Sequence, residues 1–189
     1  MKEKPLRDRL ITEGIREIGL AGIQNFSVRK VAAKCGVSCA APYKYFADKQ
    51  TFLDAVVDHI RIQWIERQHK ILRARPNDLR RQIVEISVDY VRFLVENPNF
   101  RTVIMLQSGA GGEYGYQIKG SLSGLTQKLI TKYSRAANLS KEQTRLKTYV
   151  IRAIITGAAV LFDYGELEYN EENLKLVEYS VNREFDLQA

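Results

Sequence analysis

Cysteine, histidine and proline are scarce in this chain of 189 residues, which holds two, two and four of them. Two cysteines cannot staple a small scaffold with disulfides. Cys35 and Cys39 stand as a single C-x3-C pair, with His59 and His69 far along the chain, so zinc-site spacing is missing. The expectation is no metal and no cofactor. The same two histidines lack a nucleophile or metal partner at useful spacing, which argues against an enzyme. No apolar run approaches the ~20 residues of a membrane span, and the amino end lacks a signal-peptide core. A cytoplasmic protein with no membrane partner is expected. The glycine-rich stretch from Ser108 to Gly112 has no strand before it and no Lys-Ser/Thr after it, which excludes a phosphate-binding glycine loop.

What the chain does have is a dense local signal between Phe26 and Leu53, FSVRKVAAKCGVSCAAPYKYFADKQTFL. Ser27 can cap a short helix whose apolar positions are Val28, Val31, Ala32 and Cys35. Gly36 falls where that helix must stop, and Ser38 can cap the next one. Pro42 then lies in or just after the first turn, where a missing amide matters least. Two short helices joined by a Gly-containing turn form a helix-turn-helix, which lays its second helix in the major groove of DNA. The residue types suit a duplex. Cys39, Ala40 and Ala41 are small enough to approach base edges and thymine methyls. Lys44, Lys49 and the hydroxyls of Tyr43 and Tyr45 suit phosphate oxygens.

With its serine-started helix, Gly36-Val37-Ser38 turn, Tyr43, Phe46 and Asp48-Lys49 pair, the segment from about residue 6 to 57 resembles the DNA-binding end of the tetracycline-repressor (TetR) family of bacterial regulators. The resemblance implies an all-α homodimer that represses transcription and leaves DNA when a small molecule binds its larger domain. Base reading then falls on Arg29, Cys39, Ala40 and Ala41, and phosphate contact on Tyr43, Lys44, Tyr45 and Lys49. Lys30 and Ser38 complete the expected DNA-contacting set. Only Arg29 has the fork to grip a guanine edge at two points. For Cys39 a thiol-sensor role competes with a base-contacting or spacer role.

Charge is placed accordingly. The net charge is +7, and residues 1 to 50 carry 10 Lys+Arg against 5 Asp+Glu, whereas residues 51 to 189 carry 19 against 17. The excess sits on the helix-turn-helix, as a double-stranded operator partner requires. The expected division is a DNA-binding domain over 1–50, with three helices, and a larger helical effector-binding and dimerisation domain over 51–189, about nine helices in total. A helix from Pro5 to Leu20 is expected to lie beneath the motif. A long helix starts after Asp48, runs to about Arg73 and is shared by both domains. The basic cluster Arg61, Arg67, Lys70, Arg73, Arg75, Arg80 and Arg81 reads as solvated surface.

Further amphipathic helices are expected over Asp78–Glu96, from Pro98 to Leu106, over Tyr114–Ala137, from the Ser140/Gln143 capping box to Tyr164, and from Glu171 behind Asn170. Residues 141 to 152 hold four basic and one acidic residue, whereas 163 to 189 hold two basic and eight acidic. Two such hairpins, one per subunit, can form a four-helix seam through Ala153, Ile154, Gly157, Leu161, Leu174, Val177 and Val181. The competing account is that these stripes close the protomer's own core. Trp64, Tyr90, Phe93, Phe100, Met105 and Phe162 are the candidate lining of a pocket for an unidentified apolar or aromatic effector, again set against ordinary core packing. The reading is a ligand-responsive repressor on a near-palindromic operator; the alternative is a DNA-bound adaptor whose larger domain recruits a protein.

Overall fold

Helix signals along the chain translate into eight α-helices and one 3-10 helix in the computed structural model, with no strand among the described residues. The structure describes the backbone of residues 4–105 and 113–187, and the side chains of 4–101 and 122–187. The helices are α1 (Leu6–Ala21), α2 (Val28–Lys34), the 3-10 helix (Pro42–Lys44), α3 (Lys49–Ala74), α4 (Leu79–Glu96), α5 (Pro98–Met105), α6 (Glu113–Ala136), α7 (Lys141–Asp163) and α8 (Glu171–Arg183). None of them is long and apolar enough to cross a membrane.

Most boundaries have a local cause. Ser140 accepts from the Gln143 amide while the Gln143 side chain accepts from the Ser140 amide, so the expected capping box opens α7. Asn170 caps α8 through the Asn173 amide, and Asp48 caps α3 through the amide and hydroxyl of Thr51. Those two bonds hold the Asp48 carboxyl below its usual range.

The chain forms two compact units, Met1–Gln63 with Asn97–Ser121, and Trp64–Glu96 with Leu122–Ala189. The long α3 contributes to both. In the first unit, α1 packs against α2 and α5. Its core gathers Leu10, Ile11, Ile15 and Ile18 from α1, Val28 and Val31 from α2, and Phe52, Val56 and Ile60 from α3. Phe52 stacks on Phe46 at 4.2 Å between centroids and receives the edge of Phe26 at 5.3 Å. A β-carbon at Gly14 would lie 3.0 Å from Phe52, so glycine there lets α1 settle onto that ring.

In the second unit, α4 packs against both α7 and α8, which also touch each other. Ile83, Ile86, Val91 and Leu94 meet Ile151, Ile155, Ala159, Leu174, Val177 and Val181 in this core. Arg80 ties the end of α8 to α4 by bonds to Asn182 and to both oxygens of Asp186, and it covers the Phe185 ring. Lys147, buried, donates to the carbonyls of Glu184 and Leu187, where a cation complements a helix carboxyl end. Arg92 grips Glu171 with two bonds at the start of α8.

Candidate nucleic-acid interface

The amino-terminal site is built from the Ser27 cap outward. The Ser27 side chain accepts from the Lys30 amide at 3.3 Å and starts α2. The helix ends at Cys35 in a Schellman arrangement: the Gly36 amide donates to Ala33 and the Val37 amide to Ala32, both at 3.0 Å. Gly36 has φ +70°, a left-handed conformation that glycine adopts without penalty. Arg9 of α1 donates to the Cys35 carbonyl at 2.9 Å and holds this turn from below.

The second helix of the motif differs from its sequence expectation. It is a 3-10 segment: the amides of Ala41, Tyr43, Lys44 and Tyr45 bond to Ser38, Ala40, Ala41 and Pro42, each three residues back. Its cap position is Ala41, with no side-chain cap bond, so Ser38 contributes its carbonyl and not the expected hydroxyl cap. Pro42 explains the change, because it has no amide to bond Ser38 in the α pattern. Pro42 and Phe46 are buried and anchor the segment.

That anchoring turns the other side chains out. Arg29, Lys30, Ser38, Cys39, Ala40, Tyr43, Lys44, Tyr45 and Lys49 are exposed, and Ala41 is half-buried. Tyr43 and Tyr45 keep 53% and 45% of their surface in solvent, a large apolar exposure for a turn with no partner present. The Lys49 ammonium lies 5.9 Å from the centre of the Phe26 ring, which steadies it at the start of α3. Lys30 stands 3.7 Å from Glu17 Oε1. The two thiols diverge: Cys39 is exposed, while Cys35 is buried and its thiol is pushed up by that burial.

Three of the six expected effector residues come together. Trp64, Tyr90 and Phe93 do meet in the second unit, with ring centres 4.8 and 5.3 Å from Trp64. The Trp64 indole donates to the Leu122 carbonyl at 2.9 Å, and burial pushes the Tyr90 hydroxyl up to about 12. Phe162 sits edge-on to Tyr169. Phe100 belongs to the first unit, edge-on to His59. Met105 has its side chain outside the described residues, and the Ser108–Gly112 stretch lies outside them altogether.

Two open grooves in the second unit were not foreseen. One, of about 620 Å³, is lined by Arg67, Lys70, Ile71, Glu85, Val88, Asp89, Arg92 and Glu178. The other, of about 560 Å³, lies between Tyr133, Lys147 and Phe185. Charged residues spread along three helices leave no periodic trace that marks a groove.

The basic cluster is largely ion-paired. Arg61 meets Asp58, Arg67 meets Asp89 and Glu96, Arg75 and Arg81 share Glu85, and Arg80 meets Asp186. The expected seam divides as well. Ala153, Gly157 and Leu161 are exposed and Ile154 is half-buried, whereas Leu174, Val177 and Val181 are buried in the protomer's own core. The last three cannot add area to an interface. The outward apolar positions of α8 are Leu176 and Tyr179, at 55% and 65% exposure.

Comparison with known proteins agrees with this geometry. Residues 10–56 match the model of bacterial regulatory proteins of the tetR family. A TetR family transcription regulator from Marinobacter aquaeolei VT8 superposes with a TM-score of 0.77 at 18% identity, over 95% of this chain and 94% of that one. The fatty acid degradation regulator FadR from Bacillus halodurans gives 0.71 at 16%, over 97% and 96%. A TetR-like transcriptional regulator from Rhodococcus sp. RHA1 gives 0.72 at 15%, over the full length of both. No curated protein matches the chain in sequence. Residues 10–56 thus match the model of the tetR family of bacterial regulatory proteins, and the chain as a whole is similar in fold to solved TetR-family transcription regulators.

Proposed function

We propose that this protein is a ligand-responsive transcriptional repressor, which occupies a near-palindromic operator as a homodimer and leaves it when a small apolar or aromatic effector binds the larger unit. The observation that carries the reading is the anchored 3-10 turn, around which Cys39, Ala40, Tyr43, Lys44 and Tyr45 are all exposed. Small residues there suit thymine methyls and groove shape, and Arg29 suits a guanine edge. Division of labour falls near residue 50: 1–50 engage DNA, and 51–189 bind effector and partner subunit.

The pairing surface we favour is the outward face of α7, Leu146, Tyr149, Ala153, Gly157, Leu161 and Tyr164, with Leu176 and Tyr179 of α8. Recurring every three or four residues, the α7 positions form one stripe, and a two-fold axis would bury it against itself. A β-carbon on Gly157 meets nothing within 4 Å, which leaves room for a second helix. For the effector, Trp64, Tyr90, Phe93 and Phe162 supply aromatic surface in the second unit. Because the Bacillus halodurans neighbour is a fatty acid degradation regulator, fatty acids head the apolar molecules to screen. Continuity of α3 through both units supplies the path by which an effector acts, provided it binds the two states unequally.

Selection of duplexes from a random pool tests the DNA reading and yields half-sites about 34 Å apart if the dimer is correct. A molecule that raises the melting temperature and also releases the selected duplex supports the effector reading. Enrichment of no duplex at low salt would remove the reading at its root.

A further inference from the structure

Two glutamates of α1 and two lysines of α2, one of them the expected DNA contact Lys30, meet where these helices pack. Glu13 and Glu17 stand one turn apart on α1, and Lys30 and Lys34 one turn apart on α2, so each pair shares a helix face. Lys34 Nζ lies 3.2 Å from Glu17 Oε2 and 3.3 Å from Glu13 Oε1, while Lys30 Nζ lies 3.7 Å from Glu17 Oε1. Glu17 is only 3% exposed. One oxygen of each carboxylate is buried without a hydrogen bond among the described residues, so the ammonium groups are what offset its charge. A buried carboxylate without such an offset is strongly unfavourable. Bonding to Glu17 and Glu13 also raises the Lys34 pKa, in keeping with an ammonium held charged.

Arg16 also lies 3.5 Å from Glu13 Oε2, so three cations share two carboxylates and much of their charge is offset locally. In a helix-turn-helix the first helix crosses the DNA backbone, so free lysines on α2 would condense onto phosphates of any sequence. Arg29, Lys44 and Lys49 differ, having no carboxylate at ion-pair distance among the described residues. We propose that Glu17, supported by Glu13, is a specificity-determining residue: it holds the Lys30 and Lys34 ammonium groups against α1, which keeps sequence-independent DNA affinity low. Lys30 is accordingly withdrawn from the expected DNA-contacting set.

This inference rests on the DNA-binding reading, and salt titration separates the two. Full-length wild type, Lys30→Met, Glu17→Gln and the double variant are titrated with one non-cognate duplex across a range of salt. No binding by wild type at low salt would end the DNA reading itself. With binding present, Lys30→Met should leave the slope of log K against log salt unchanged. Glu17→Gln should steepen it by about 0.9 for each lysine released, tightening non-cognate binding on the order of tenfold at 0.1 M salt. Its preference for a selected duplex over the non-cognate one should fall. Adding Lys30→Met to Glu17→Gln should take back the share due to Lys30. A folded Glu17→Gln variant with the wild-type slope, however much its melting temperature drops, would overturn the inference. So would a slope shallower by about 0.9 in Lys30→Met alone, a measurement that needs no change to the buried carboxylates.

Discussion

Arg29 and Lys49 are both exposed cations in the first unit, yet they answer to different physics. Arg29 has a planar fork that can meet a guanine edge at two points, and such a pair discriminates by ~1–3 kcal/mol. Arg29→Ala should therefore weaken binding to a selected duplex more than to a scrambled one, as read by fluorescence anisotropy; equal losses would strip it of a base-reading role. Lys49, poised over Phe26, is a point charge suited to phosphate. Lys49→Ala should weaken all duplexes alike and lower the salt slope by about 0.9. Arg29 and Lys49 each stand in the first turn of a helix, α2 and α3, positions legible in the sequence because caps and glycine stops are local. The sequence could not reveal that Lys30, one position after Arg29, faces a buried glutamate on another helix.

At the scale of single elements, the turn after α2 depends on one backbone conformation. Gly36→Ala places a β-carbon in a left-handed residue that otherwise has open space around it, so the strain is conformational and not steric crowding. A loss of ~1–2 kcal/mol is expected in denaturant unfolding, with the second unit's helices intact by circular dichroism.

The carboxyl end of α8 depends instead on a charge pair. Arg80 holds the Asp186 carboxyl below its usual range. A depressed carboxylate contributes stability that is present above its unfolded pKa and is lost as pH falls through the folded value. The melting-temperature deficit of Arg80→Met should thus be present at pH 6 and shrink below about pH 3.8, the ordinary aspartate value. A deficit that stays constant across this range would assign Arg80 to its bonds with Asn182 and its packing on Phe185. The 3-10 segment teaches a related point. Ser38 and Pro42 are each good signals for a helix start, but four residues apart they conflict, and the missing proline amide decides the geometry.

For the whole molecule, the decisive matter is which apolar faces stay uncovered. Leucine at Gly157 meets open space within the protomer, so Gly157→Leu should fold with native helix content. If α7 pairs across a two-fold axis, the variant should sediment as a monomer where wild type is a dimer; a variant that remains dimeric would refute that seam.

The amino-acid sequence alone determined most helix boundaries, the place of the helix-turn-helix and the concentration of positive charge near it, because caps, glycine conformation and helical periodicity act within a few residues. Only the tertiary structure decided that Leu174, Val177 and Val181 face inward while Leu176 and Tyr179 face out, and that Glu17 meets lysines 13 and 17 positions away in sequence. The physical reason is that an amphipathic stripe states that a face must be buried without stating against what. A charge, likewise, acquires its partner only when two helices have packed.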